Sequence, residues 1–241
     1  MTNLFGEFFG TMVLIILGCG VCANVTLQHS KAQASGWIVV TAGWAFAVTM
    51  GVFAAVATGA PNADLNPAVT LARSMAGLYS PAHAVATMGA EMIGAIVGAA
   101  VVWLAFLPHW EATESQAAKL GVFCTAPAIR SPMSNLLCEI IGTAMLALVF
   151  FTMGAKPVGA IPAGVGPYLA GIVVWSMGLS LGGPTGYAIN PARDLGPRIA
   201  HAILPIAGKG GSDWGYSWIP VVGPLIGGAL AFFIAKAAGL C

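Results

Sequence analysis

Charge is what this sequence lacks. Only 7% of its 241 residues are Asp, Glu, Lys or Arg, against 58% hydrophobic, a balance that a soluble domain of this size cannot hold without exposing apolar surface. The chain therefore reads as an integral membrane protein. The formal net charge is +1 and no basic patch or stripe occurs, so nucleic acid is excluded as a partner. No Lys or Arg precedes the first apolar run, from Leu4 to about Leu27. That run exceeds a signal-peptide core and reads as a retained helix. Cysteine is sparse: of Cys19, Cys22, Cys124, Cys138 and Cys241, three fall in or beside apolar runs, so no disulfide framework is expected. Cys19 and Cys22 have Cys-x-x-Cys spacing, but inside an apolar helix they read as small packing residues rather than a redox pair. His29, His83, His109 and His201 are dispersed without metal-ligand spacing. No Ser/His/Asp or Cys/His cluster stands out, and no metal, cofactor or enzymatic chemistry is expected.

What is present is apolar length. At about 20 residues per crossing, spans are expected near 3–27, 37–57, 84–106, 134–154, 164–182 and 218–237. An even number of crossings puts both termini on one side. Segments near 66–77 and 190–203 are helix-like but too short to cross, and are bounded by Gly, Pro and Asn. They read as half-length helices, whose flanking irregular backbone must line a cavity or be buried in protein. The polar loops near 28–36, 107–132 and 205–217 fall on the same side by span counting. Lys31, Lys119, Arg130 and Lys209 lie there, against Lys156 and Lys236 opposite, so the positive-inside rule does not orient the chain.

The halves repeat. Asn3-Leu4-Phe5-Gly6-Glu7-Phe8-Phe9-Gly10-Thr11 returns as Asn135-Leu136-Leu137-Cys138-Glu139-Ile140-Ile141-Gly142-Thr143, and Leu65-Asn66-Pro67-Ala68 returns as Ile189-Asn190-Pro191-Ala192. Met92–Gly98 has its counterpart in Val221–Gly227. The expected architecture is thus all-α: a single domain over 1–241 of six spans and two half-helices, with repeats near 1–107 and 133–241. Three spans per repeat is an odd number, so the second repeat is inserted inverted relative to the first. The half-helices then enter from opposite faces and meet N-terminus to N-terminus near the midplane. Gly6/Gly10, Gly94/Gly98, Gly178/Gly182 and Gly223/Gly227, at four-residue spacing, permit close helix crossing.

In both short segments an Asn at the N-cap is followed by Pro at the first helical position. Each opposed N-terminus carries roughly half a positive charge, so a site between them repels cations and accepts an oxygen lone pair. Asn66 and Asn190 can cap with their side-chain oxygens and still offer NH₂ donors to a passing water or hydroxyl. Arg193, directly after the second motif, is costly at membrane depth unless it serves a pathway, and is the first candidate for a constriction. Asp194 and Arg198 have the i, i+4 spacing of a helix-stabilising pair.

Across essentially its whole length the chain resembles the aquaporin (major intrinsic protein) family, through the paired Asn-Pro-Ala motifs, the Glu of each half's first helix and the inverted repeat. The resemblance implies a homotetramer in the cell membrane, one pore per subunit, cytoplasmic termini, an extracellular loop joining the repeats, and a constriction on the outer side of the Asn pair. It implies that Arg193 donates to the permeant's oxygens and bars protons and cations. The Arg193-Asp194 pair with Arg198 resembles glycerol-conducting members. Gly178 and Tyr187 stand where water-selective members resemble a pattern of His and a small residue. Gly178 would leave room for a carbon chain, with Trp44 and Tyr187 as the apolar wall facing alkyl CH groups and Arg193 facing hydroxyls. Backbone carbonyls of Asn62, Ala63 and Asp64, and of Gly186, Tyr187 and Ala188, would form an acceptor ladder. Glu7 and Glu139 would brace these loops, the alternative being proton-coupling carboxylates.

Some positions depart from the pattern. Between Trp44 and Asn66 the chain is about two residues longer than in typical glycerol facilitators, which makes Phe46 a rival for the Trp44 role. Asp64 replaces a frequent His, with Arg73, His83 or solvent as alternative partners. The Tyr187 hydroxyl either narrows the pore or favours a carboxylic acid. The expected function is passive passage of glycerol and similar small neutral solutes with some water. The alternatives are a water-dominant channel, a channel for neutral acids such as protonated lactic acid, or a proton-coupled transporter.

Overall fold

The structure is a computed structural model describing residues 3–162 and 164–241. Among these the regular elements are α1 (Leu4–Thr26), α2 (Trp37–Ala57), α3 (Pro67–Met75), α4 (Pro81–Ala105), α5 (Leu107–Ala112), α6 (Gln116–Phe123), α7 (Pro132–Met153), α8 (Gly166–Leu181), α9 (Pro191–Ile203) and α10 (Ile219–Ala237), with a 3-10 turn at Lys156–Val158. The fold is all-α, as expected. Helices α1, α2, α4, α7 and α10 are long and apolar enough to cross a membrane. At 16 residues α8 is shorter, bounded by Pro167 in its first turn and Gly182 at its C-cap.

The packing follows the repeat. Helix α1 lies against α4 as α7 lies against α10. A Cβ on Gly98 would stand 2.7 Å from the Met12 carbonyl oxygen, and one on the corresponding Gly227 2.5 Å from that of Ile140. Glycine is what lets these backbones meet. The half-helices are exchanged: α3 packs on α10 and α9 on α4, each against the third span of the other repeat. This crossing draws both short helices into the middle of the bundle.

Two findings differ from the sequence reading. The segment 107–132, expected as a polar loop, contains α5 and α6, and buries Trp110, Lys119, Val122 and Phe123. Helices of six and eight residues carry too little periodicity to be seen. The cations that confounded the orientation count are also largely engaged. Lys119 donates to the Ala207 carbonyl, and Lys209 caps the end of α9 through the carbonyls of His201, Ala202 and Leu204. Arg130 pairs with Asp213. They fasten loops to the bundle instead of standing free near the headgroups.

Candidate functional site

Each half-helix is entered through strained backbone. Ala63 (φ +45°) and Leu65 (φ +52°) before α3, and Tyr187 (φ +41°) and Ile189 (φ +43°) before α9, are left-handed, at a cost of roughly 1–3 kcal/mol for each non-glycine residue. Two buried carboxylates hold them there. Glu7 accepts from the N–H groups of Asp64 (2.9 Å) and Leu65 (2.8 Å), and Glu139 from those of Ala188 (3.0 Å) and Ile189 (2.8 Å). Bonds to a charged acceptor contribute about 1.5–3 kcal/mol each, enough to offset the strain. In a trans peptide the preceding C=O points opposite the N–H. The carbonyls of Ala63, Asp64, Tyr187 and Ala188 are thereby turned away from the glutamates, and these four residues line the central cavity. Asn62 also lines it, with its carbonyl accepting from Arg73 (2.7 Å). Gly186 is not among the lining residues; it sits against Thr125.

The two Asn side chains interlock. The Asn66 oxygen accepts from Ala68 N (2.9 Å), and the Asn190 oxygen from Ala192 N (2.9 Å) and Arg193 N (3.2 Å). Each amide then donates across the interface, Asn66 to the Ile189 carbonyl (2.8 Å) and Asn190 to that of Leu65 (2.7 Å). An NH₂ group has two protons, so each keeps one for the cavity it lines.

That cavity, of about 340 Å³, is lined by Asn66 and Asn190 together with Trp44, Tyr187 and Arg193. Its volume suits a small molecule. Arg193 Cζ stands 3.8 Å from the centroid of the Trp44 ring, and Nη1 donates to the Phe123 carbonyl (3.2 Å). The Trp44 indole N–H points to Cys22 Sγ (3.3 Å). Phe46 is 53% exposed on the outer side of α2, beside Trp175. It is therefore Trp44 that meets Arg193. Tyr187 packs edge-on to Trp37, and a Cβ on Gly178 would stand 2.8 Å from Tyr187 Cζ. Gly178 acts on the cavity at one remove, by giving the Tyr187 ring its seat.

A model of the family described as "Major intrinsic protein" matches residues 1–235. The chain belongs to the major intrinsic protein family. It is 53% identical over 228 residues to "Glycerol uptake facilitator protein 3" of Lactiplantibacillus plantarum, covering 95% of this chain and 93% of the relative. The "Glycerol uptake facilitator protein" of Bacillus subtilis is 49% identical, covering 99% and 85%. The "D/L-lactic acid transporter" of L. plantarum is 37% identical, covering 95% and 94%. Among solved structures, the aquaglyceroporin from Plasmodium falciparum superposes with a TM-score of 0.85 at 27% identity, covering 98% of this chain and 95% of that one. Aquaglyceroporins of the family are channels, not enzymes.

In this major intrinsic protein Asp194 and Arg198 do not reach the cavity. They form a fully buried pair (2.8 Å). Asp194 accepts from the N–H (2.8 Å) and hydroxyl (2.7 Å) of Thr125, and Arg198 donates to the carbonyls of Thr125, Ser212 and Asp213. The pair fastens α9 to the strand of chain just past Phe123, whose carbonyl holds Arg193. Asp64, whose partner the sequence left open, pairs with Arg73 and accepts from Thr70 (2.9 Å).

Sequence reasoning missed Phe123 and Thr125. They act through backbone groups that leave no side-chain signature, and the one hint was a buried Asp/Arg pair with more hydrogen-bonding capacity than it could satisfy alone. It also left Glu91 unread. Glu91 accepts from the N–H of Asn66 (3.0 Å) and from Thr70 (2.8 Å), a second carboxyl at the start of α3.

Proposed function

We propose that this chain is a passive channel for glycerol and similar small neutral solutes, with some water, that excludes protons and ions. The observation that carries the reading is one cavity with an aromatic side, Trp44 and Tyr187, and a donor side, Arg193, Asn66 and Asn190. A polyol has one edge of CH groups and one of hydroxyls, and fits such a lining in a single orientation. The relatives named glycerol uptake facilitators support the same substrate. Exclusion of charge follows from Arg193 and the two opposed helix N-termini, as in aquaporin-type pores generally.

In this reading Trp44, Tyr187 and Arg193 form the constriction, with Gly178 behind Tyr187. Asn66 and Asn190 are the midplane donors, and the loop carbonyls relay the solute's hydroxyls. Asp194 and Arg198 hold the wall in place. The protein works as a homotetramer in the plasma membrane with cytoplasmic termini. A transporter with Glu7 or Glu139 as its proton carrier would need that carboxyl free, whereas each uses both oxygens on backbone N–H groups.

A second reading, passage of small neutral acids such as protonated lactic acid, is favoured by the relative named a D/L-lactic acid transporter and by the Tyr187 hydroxyl, which has no protein partner. Proteoliposome shrinkage with water, glycerol, and lactic acid at low pH tests both. Glycerol flux above that of empty liposomes supports the first reading, and flux at their level removes it. Lactic acid shrinkage above the liposome background supports the second.

A further inference from the structure

Arg193 is not the only guanidinium on the cavity. Arg73 lines it too, on α3, which starts at the midplane Asn and runs toward the other end. Asn66, Val69 and Arg73 all border the cavity, and their i, i+3, i+7 spacing puts them on one helix face. Behind that face the carboxyls of Glu7, Asp64 and Glu91 converge on the start of α3. The second half-helix start has Glu139 alone on its loop N–H groups, since Asp194 is matched by Arg198.

We propose that Arg73 is a second charge-selectivity residue, which stands between the cavity and this carboxyl cluster and denies cations a negative foothold. The proposal rests on the exclusion of ions put forward above. Three observations carry it. The Asp64 side chain is fully buried while that of Arg73, a lining residue of the cavity, is 26% exposed, so the positive member of the pair is the accessible one and the negative member lies behind. The guanidinium is fixed in that place, since Nη1 also donates to the Asn62 carbonyl (2.7 Å). And among the described residues no other cation pairs with the cluster. Thr70 has one hydroxyl proton for two carboxyl oxygens, those of Asp64 and Glu91. The second Glu91 oxygen has no hydrogen-bond partner, and among the described residues Arg73 supplies the one ion pair these carboxyls make. The helix dipole offsets roughly half a charge, less than one carboxylate.

The test measures glycerol shrinkage and dissipation of proton and Na⁺ gradients in the same proteoliposomes, for the full chain and for Arg73→Lys, Arg73→Gln, Arg73→Leu and Asp64→Asn/Arg73→Leu. Arg73→Gln keeps a donor for Asn62 and so guards against simple misfolding. The expected result is that Arg73→Gln and Arg73→Leu still pass glycerol but leak cations at least tenfold faster than the parent, because an unpaired charge within about 10 Å of a cation, at an effective dielectric constant of about 20, raises its occupancy by roughly tenfold or more. Arg73→Lys and the double variant stay tight. Glycerol-conducting Arg73→Gln as tight as the parent would overturn the proposal and leave ion exclusion standing. So would a loss of glycerol flux in Arg73→Leu that Asp64→Asn/Arg73→Leu restores with no leak at any stage, which would make the pair a structural brace only. A parent protein that itself leaks would instead sink the exclusion on which the proposal rests.

Discussion

Arg193 holds its guanidinium over the Trp44 ring, with Cζ 3.8 Å from the centroid. A donor and an aromatic ring of the cavity lining are thus in direct contact with each other. A desolvated cation–π contact contributes about 2 kcal/mol, and the Phe123 carbonyl anchors the same group from the side. In the proposed channel, a solute beside this pair would set its hydroxyl oxygens against Arg193 and its CH groups against Trp44.

Arg193→Leu is therefore expected to lower glycerol flux more than water flux, since it removes the donor that orients the polyol, and to raise cation leak. Stopped-flow light scattering with glycerol and with an impermeant osmolyte measures the ratio. An unchanged glycerol-to-water ratio would place Arg193 outside the selective step.

Gly178→Ala should act through Tyr187. The added Cβ would stand 2.8 Å from Tyr187 Cζ and 2.9 Å from its hydroxyl, so the ring must move toward the cavity. Glycerol flux should fall more than water flux, and Gly178→Ala/Tyr187→Ala should recover it. Equal losses of both solutes, with no recovery in the double variant, would mean that the glycine does not set the ring's position.

Glu139→Ala removes two bonds to a charged acceptor at about 1.5–3 kcal/mol each and leaves Tyr187 and Ile189 left-handed without support. A large drop in thermal midpoint in detergent and near-complete loss of flux are expected, with Glu139→Gln milder because it keeps one acceptor. Glycerol flux in the parent should not respond to an imposed proton gradient; a response would revive the carboxylate as a proton carrier.

Breaking the buried Asp194–Arg198 pair by Asp194→Ala is expected to destabilise the protein by about 3–5 kcal/mol, read as a lowered unfolding midpoint. Because Thr125 then loses its anchor beside Phe123, glycerol flux per folded protein should also fall. Stability lost with flux per folded protein unchanged would show that the pair does not position Arg193.

The sequence made the architecture legible because its strongest signals are periodic and duplicated. The Asn-Pro-Ala segments, the two glutamates and the glycine pair of the third span (Gly94/Gly98, Gly223/Gly227) each occur twice at matching places, and α3 and α9 lie where the short apolar runs fell. What was hidden depends on groups without a side-chain signature or on distant pairings. The Phe123 carbonyl and the Thr125 N–H belong to a segment that reads as polar loop. Asp64 and Arg73 are nine positions apart, across a loop-to-helix turn that no periodicity describes. Gly178 was read as open space, whereas its lack of a side chain is filled by Tyr187. Trp44 and Phe46 could not be separated by a count of residues between motifs, since both lie on one apolar helix and only the rotation of α2 decides which faces inward.

Shrinkage of proteoliposomes in a glycerol gradient, measured against a water-only gradient over a wide range of glycerol concentrations, tests the channel reading most directly. It predicts glycerol flux well above empty liposomes and rising in proportion to the gradient without saturation, alongside a modest water flux. Glycerol flux at the empty-liposome level with raised water flux would contradict it.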